Sequence, residues 1–202
     1  MQDIRIEGVG KINGGDYGVI RIDGAGECAG DVIAQTIKID GKYKCQGVTK
    51  AELIDCDGMA TFNGNVQVKT LRVDGLCKIN SGSVEAEEVD CDGSMTVSGQ
   101  ISADTLLADG LIDAKEIVGD RVVIKSRISM LARLFIKHLS TADLIEATTI
   151  ELEGVTARTV NGSDVTIGPG CRIETLDCSG RLFIHKDSTV KIITGDYTLI
   201  DP

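Results

Sequence analysis

Six Asp-Gly pairs punctuate this chain at a nearly constant interval: Asp23-Gly24, Asp40-Gly41, Asp57-Gly58, Asp74-Gly75, Asp92-Gly93 and Asp109-Gly110. Successive glycines of the series lie 17, 17, 17, 18 and 17 residues apart. A second series, Gly30, Gly47, Gly64, Gly82 and Gly99, keeps the same beat. Two phased ladders at one period mark a solenoid, in which each repeat buries its apolar side chains only by stacking on its neighbours.

The interior of one turn follows by counting from each Asp-Gly glycine. Residues nine, seven, four and two before it, and two and four after it, are mostly apolar or small. Around Gly41 they are Val32, Ala34, Ile37, Ile39, Tyr43 and Cys45; around Gly75 they are Val66, Val68, Leu71, Val73, Cys77 and Ile79. The residues between are mostly polar, as in Lys38, Asp40, Lys42 and Lys44. Members of each pair are two apart, which is the alternation of a half-buried strand. Each turn therefore carries three short strands and three corners. Glycines supply two corners, where a positive φ or a tight bend is needed, and polar pairs such as Gln35-Thr36 supply the third. The expected fold is all-β: a single-stranded parallel β-helix of triangular section, about 17 residues per turn. A left-handed hexapeptide helix of the acyltransferase type needs 18 residues per turn, and the persistent 17 argues against it.

A narrow interior accounts for the composition, with 3% aromatic residues and no Trp. The formal net charge of −10 argues against nucleic acid as a partner, since phosphate binding needs a basic footprint. No apolar run is long enough to span a membrane, and the first residues lack the pattern of a signal peptide. The seven cysteines form no CxxC, and Cys28, Cys45, Cys56, Cys77 and Cys91 all fall in inward columns. Cys171 and Cys178 do so if Gly180 is the reference of a later turn. Small buried thiols in a reducing cytoplasm are the expectation, with no metal centre, disulfide framework or cofactor.

In chain order, one domain of about eleven turns covers 1–202, a rod on the order of 50 Å long at one strand spacing per turn. Regular repeats fill 15–114, an irregular insertion occupies about 115–141, and C-terminal turns follow over 142–202. Column matching places Ala142, Ile145, Ala147 and Thr149 after Ile117, Gly119, Val122 and Ile124, or else takes Ala132 as the next reference, 22 after Gly110; either way five or six extra residues enter between 115 and 141. Val155, Ala157, Val160 and Gly162 then make one turn, and Cys171, Ile173, Leu176 and Cys178 another. Residues 132–141 resemble 180–189, which leaves Phe135 and Phe183 pointing outward, either covered or forming a contact. The stretch 121–139 holds Arg121, Lys125, Arg127, Arg133 and Lys137 and no acid. As a helix it is a basic amphipath; as strands it alternates well, and strands are favoured. Either form offers a patch for anionic lipid or a partner.

Little enzymatic chemistry is legible. The two histidines, His138 and His185, stand outside any hydrolase, zinc-protease or phosphate-loop motif. Nearly every turn is minimal, leaving few loops from which to build a pocket. The stacked aspartates Asp23 through Asp109 repel one another, so they act either as turn caps neutralised by nearby lysines and arginines or as a calcium-binding edge.

The repeats Gly-Val-Ile-Arg-Ile-Asp-Gly (18–24), Gly-Asp-Val-Ile-Ala (30–34) and Leu-Arg-Val-Asp-Gly (71–75) resemble those of the bactofilins, bacterial polymer-forming cytoskeletal proteins. The resemblance covers 15–114 well and the rest loosely. It implies a right-handed β-helix that polymerises end to end without nucleotide, as a homopolymer or with a related bactofilin, often at the inner face of the membrane. The exposed strand edges of a solenoid end argue for the same behaviour. The contact residues expected are Ile4, Ile6 and Ile12 at one end and Phe183, Val190, Ile192, Leu199 and Ile200 at the other. The alternative is a monomeric or small-oligomer binding module whose flat faces take a protein or glycan.

Overall fold

The computed structural model describes residues 1–125 and 140–201. Those residues form nineteen parallel-paired strands and no helix, stacked as a β-solenoid of about eleven turns. Each regular turn is one eight-residue strand followed by one of four: β3 (Gly15–Ile22) and β4 (Ala25–Cys28), then β5 (Val32–Ile39) and β6 (Lys42–Cys45), then β7 (Thr49–Cys56) and β8 (Met59–Phe62). The long strand spans two sides of the turn. In β5 the alternation of Val32 in and Ile33 out breaks at Gln35 and Thr36, then resumes with Ile37 and Ile39 buried. That break is the polar corner expected from sequence.

Pairing runs 17 residues ahead through the body: Val32 lies beside Thr49, Ile37 beside Ile54 and Tyr43 beside Ala60. The six inward columns of 15–114 are buried as expected, apart from exposed Gly15 and half-covered Ala51 and Ala86. Burying an Ile such as Ile37 stabilises by roughly 1.5–3 kcal/mol, which is why one column of identical character can hold each rung in register.

The Asp-Gly corner explains its glycine by close approach rather than by φ. Among the described residues positive φ occurs only at Gly15, Gly154, Gly170 and Gly195. At the ladder, the N–H groups of Asp40 and Gly41 both donate to the carbonyl of Ile22 at 2.9 Å, and Lys42 N–H donates to the carbonyl of Gly24 at 2.7 Å. The same clamp recurs at Asp57-Gly58, Asp74-Gly75 and Asp92-Gly93. It draws the chain so near the turn below that a Cβ at Gly75 would overlap the Gly58 carbonyl oxygen.

The column matching holds through Ile117, Gly119, Val122 and Ile124, and the structure departs from it after Lys125. Strand β13 (Leu111–Lys125) belongs to the regular stack and pairs with β14 (Ser140–Glu153) by a step of 28, eleven more than the usual 17. The extra residues fall between Lys125 and Ser140. Ile145 and Ala147 lie beside Ile117 and Gly119, not on the side of Val122 and Ile124 where they were expected. The same displacement by one side carries through Val155, Ala157, Val160, Gly162, Cys171 and Cys178, all still inward. The cause is the next turn. From β14 to β15 (Val155–Ile167) the step is 15, so two residues separate every inward pair and the three sides become indistinguishable in sequence. Ser140 re-enters the stack as a buried polar residue, and its hydroxyl accepts the Ile112 N–H at 3.1 Å.

Candidate assembly surfaces

At the first layer, β1 (Gln2–Ile6) pairs only with β3, and β2 (Val9–Ile12) only with β4. Ile6 and Ile12 are buried and Ile4 is half-buried against the core. At the other end, β18 (Thr189–Thr194) pairs with β16 (Arg172–Cys178), and β19 (Thr198–Leu199) with β17 (Arg181–Ile184). Leu199 continues the inward column of Leu182, yet it is 67% exposed, since no further turn lies on it among the described residues. Val190 is half-buried in the column of Ile173, and Ile200 is exposed. Ile192 stands beside Thr175 at a corner, while Ile193 continues the buried column of Leu176. Ile193 is thus the end-layer residue that column matching missed, because the one-side slip hid its alignment with Leu176. Phe183 is half-buried on β17, one layer inside the end.

The aspartate ladder is neutralised along its first rungs. Arg5 Nε lies 2.7 Å from Asp23, and Arg21 bridges Asp23 at 2.9 Å and Asp40 at 2.7 Å. Desolvation would raise the Asp23 carboxyl, but hydrogen bonds from Arg21 and Arg5 hold it below its usual value. Asp40 is raised, first by desolvation and then by its neighbour Asp23. Farther along, Asp90 is raised by burial and by Asp92 and Glu88. Turn capping is seen at the other glycine corner. Asp31 Oδ1 accepts from Val48 N–H at 2.8 Å, Asn65 Oδ1 from Ser83 N–H at 3.1 Å, and Ser83 Oγ from Gln100 N–H at 3.2 Å. No group of three or more metal-binding side chains gathers among the described residues.

Of the basic stretch, Arg121 and Lys125 both bind Glu151, at 2.8 and 3.0 Å. Burial would raise the Glu151 carboxyl, but Lys125 and Arg121 outweigh it and hold it low. Two of the five expected patch cations are therefore tied to a carboxylate one turn on. Arg127, Arg133 and Lys137, with Phe135 and His138, lie outside the described residues. All seven cysteines are buried and unpaired. Burial pushes the thiols of Cys56 and Cys91 up to about 12, far from the range of a nucleophile at neutral pH.

A groove of about 850 Å³ runs along one face of the C-terminal half. Its floor is shallow because the inward residues there are small: Ala114, Ala142 and Ala157. Its walls carry hydroxyls and charges, among them Thr141, Thr156 and Arg158. Nothing in the column matching pointed to this face, because its rungs align only through the 28-residue step.

No protein-family model matches the chain, and no solved structure matches it. Two relatives come from Bacillus subtilis (strain 168). The uncharacterised protein YhbE is 42% identical over 64 residues, covering 32% of this chain and 27% of the relative. The uncharacterised protein YhbF is 35% identical over 77 residues, covering 38% and 32%. The matched segments span about a third or less of either relative, so the kinship shown is that of a shared stretch of sequence within a β-solenoid.

Proposed function

We propose that this protein is a non-enzymatic scaffold of the bactofilin type that assembles end to end into filaments without nucleotide. The observation that supports the reading most directly is the terminal layer formed by β18 and β19. Its inward columns continue as Val190, Ile193 and Leu199, and among the described residues no strand pairs with its outer edges. A further turn from another copy would satisfy those edges and cover those side chains, with Ile4 and Ile12 at the opposite end lying in the columns of Leu199 and Val190 and Ile6 in that of Ile184. Such a contact does not close on itself, so it yields filaments. The partners in this reading are further copies or a related solenoid, in a reducing compartment suited to seven unpaired thiols. Membrane association, in this reading, depends on the basic residues of 126–139.

Leu199→Asp tests the proposal, because it places a charge at every junction while sitting in a layer that no other turn covers. Negative-stain imaging and sedimentation are expected to show filaments for the parent and short species for the variant, with an unchanged β signal in circular dichroism. Filaments of undiminished length from Leu199→Asp would remove this end from the contact. A parent that never polymerises at high concentration would overturn the scaffold reading. Phe183→Arg serves as the control one layer inside.

A further inference from the structure

The grooved face of the C-terminal half is complementary to itself. Its central outward column runs Thr96, Asp113, Thr141, Thr156, Arg172, Thr189, each in register with the next. The flanking column two residues on runs Ser98, Lys115, Asp143, Arg158, Glu174, Lys191. Its adjacency is shown by Arg158 lying 3.0 Å from Asp143 and Lys191 lying 3.2 Å from Glu174. Consider a second rod laid against this face with its axis reversed, about a two-fold that runs along the strands midway between Thr141 and Thr156. Each column then faces itself in inverted order. Asp113 meets Arg172, Lys115 meets Glu174, and Asp143 meets Arg158, each pair occurring twice; Thr96 meets Thr189, Thr141 meets Thr156, and Lys191 meets Ser98. Among the described residues of these two columns no like charges oppose one another.

We propose that this face is an antiparallel, isologous docking surface for a second copy of the same chain. Self-complementarity of this kind is what a two-fold contact requires, since residue i meets j and j meets i. The charge balance favours this face as well. On a chain of net charge −10, the two columns carry four positive groups, Lys115, Arg158, Arg172 and Lys191, against three negative ones. The groove over Ala114, Ala142 and Ala157 gives the long Arg and Lys side chains of the partner room to lie flat. The face measures roughly 25 Å by 15 Å from strand spacing and residue rise, about 400 Å² per copy. That lies below a standard interface, so one pair is weak alone and is reinforced when rods already stacked end to end present the face repeatedly. The pairing uses outward side chains, Thr189 and Lys191 of β18 among them, whereas end stacking uses the inward columns, so neither contact requires the other.

A charge exchange tests it. Asp113→Arg sets two like-charged contacts across the two-fold, and so does Arg172→Asp; each is expected to weaken pairing at least about tenfold. A one-to-one mixture of the two variants restores both opposite-charge contacts between unlike chains, whereas neither chain alone regains anything. Sedimentation of parent, single variants and mixture reads pairing directly, with thermal melting as the check that all are folded. Where rods also form filaments, width in negative stain reads it instead: two rods for the parent and the mixture, one for each single variant, with length unchanged. Length and width separate a failure of end stacking from a failure of side pairing. Single variants that pair like the parent, a mixture that fails to recover, or a parent that shows neither pairs nor doubled width would each overturn the proposal.

Discussion

Tyr43 meets Phe62 edge to face, with ring centroids 6.0 Å apart and ring planes at 72°, one turn apart in the narrow interior. The arrangement fills space beside Gly26, where a Cβ would collide with Ile22. It also leaves the Tyr43 hydroxyl buried without a hydrogen-bond partner. Its neighbours are the thiols of Cys28 and Cys45, which point at the carbonyls of Gly30, Asn13 and Gly47. Sulfur is a weak acceptor and does not repay the desolvation of a hydroxyl. Tyr43→Phe keeps the ring contact and removes the orphaned group, so it is expected to stabilise by about 1 kcal/mol. Chemical denaturation checks this, and a lower midpoint would show that the sulfurs satisfy the hydroxyl after all.

Thr49 presents the same defect in another column. It is fully buried between Val32 and Val66, and its Oγ1 has no partner. Thr49→Val has nearly the same shape, fits the column and is expected to add roughly 1 kcal/mol. A rise of a few degrees in melting temperature is the expected readout. A fall would reveal a bound water at the hydroxyl.

The corner clamp predicts opposite outcomes for two glycine substitutions. Gly75→Ala drives a methyl into the Gly58 backbone carbonyl, which cannot move without breaking the clamp above it. A loss of at least about 3 kcal/mol is expected. At Gly8 no atom lies within 4 Å of the same methyl and φ is not positive, so Gly8→Ala is expected to be neutral or slightly stabilising. Equal melting temperatures for the two variants would sink the close-approach account of the ladder.

Alkaline stability depends on the buried thiols. Desolvation pushes Cys56 and Cys91 up to about 12, above their ordinary value of 9.0. Between these values the unfolded chain releases protons that the folded chain keeps. Stability is therefore complete below about pH 9 and declines as pH rises toward 12, by at most roughly 1.4 kcal/mol per pH unit for each cysteine. Val73 occupies the same column between them, so Cys56→Val with Cys91→Val is tolerated sterically and flattens the decline. Melting curves across pH 8 to 11 for parent and double variant make the comparison. Parallel slopes would show that other groups govern the decline.

Much of the solenoid was readable because its corners are unequal. Over 15–114 the spacing between inward pairs differs from side to side, so Val32, Ile37 and Tyr43 each identify their own column, and burial follows. Over 140–167 that asymmetry disappears. Alternation still marks Ile145, Ala147, Val155 and Ala157 as inward, but not which side they occupy, since every corner holds two residues. Only pairing across the stack decided it: Ile117 lies beside Ile145, and backbone hydrogen bonds between turns choose a register that local alternation cannot. The Asp-Gly ladder was legible as corners, yet its work was not. Whether an aspartate caps a backbone N–H, as Asp31 does, or meets a cation from the next rung, as Asp23 does, depends on where the corner aims the side chain. The same holds for the self-complementary face. Its charges stand in the sequence at Asp113, Lys115, Asp143, Arg158, Arg172 and Glu174, but their order along one face exists only after the 28-residue step brings Asp113 beside Thr141. Periodicity is a local property of the chain, set by strand alternation and corner length, whereas the alignment of distant rungs is settled by hydrogen bonds and packing between turns.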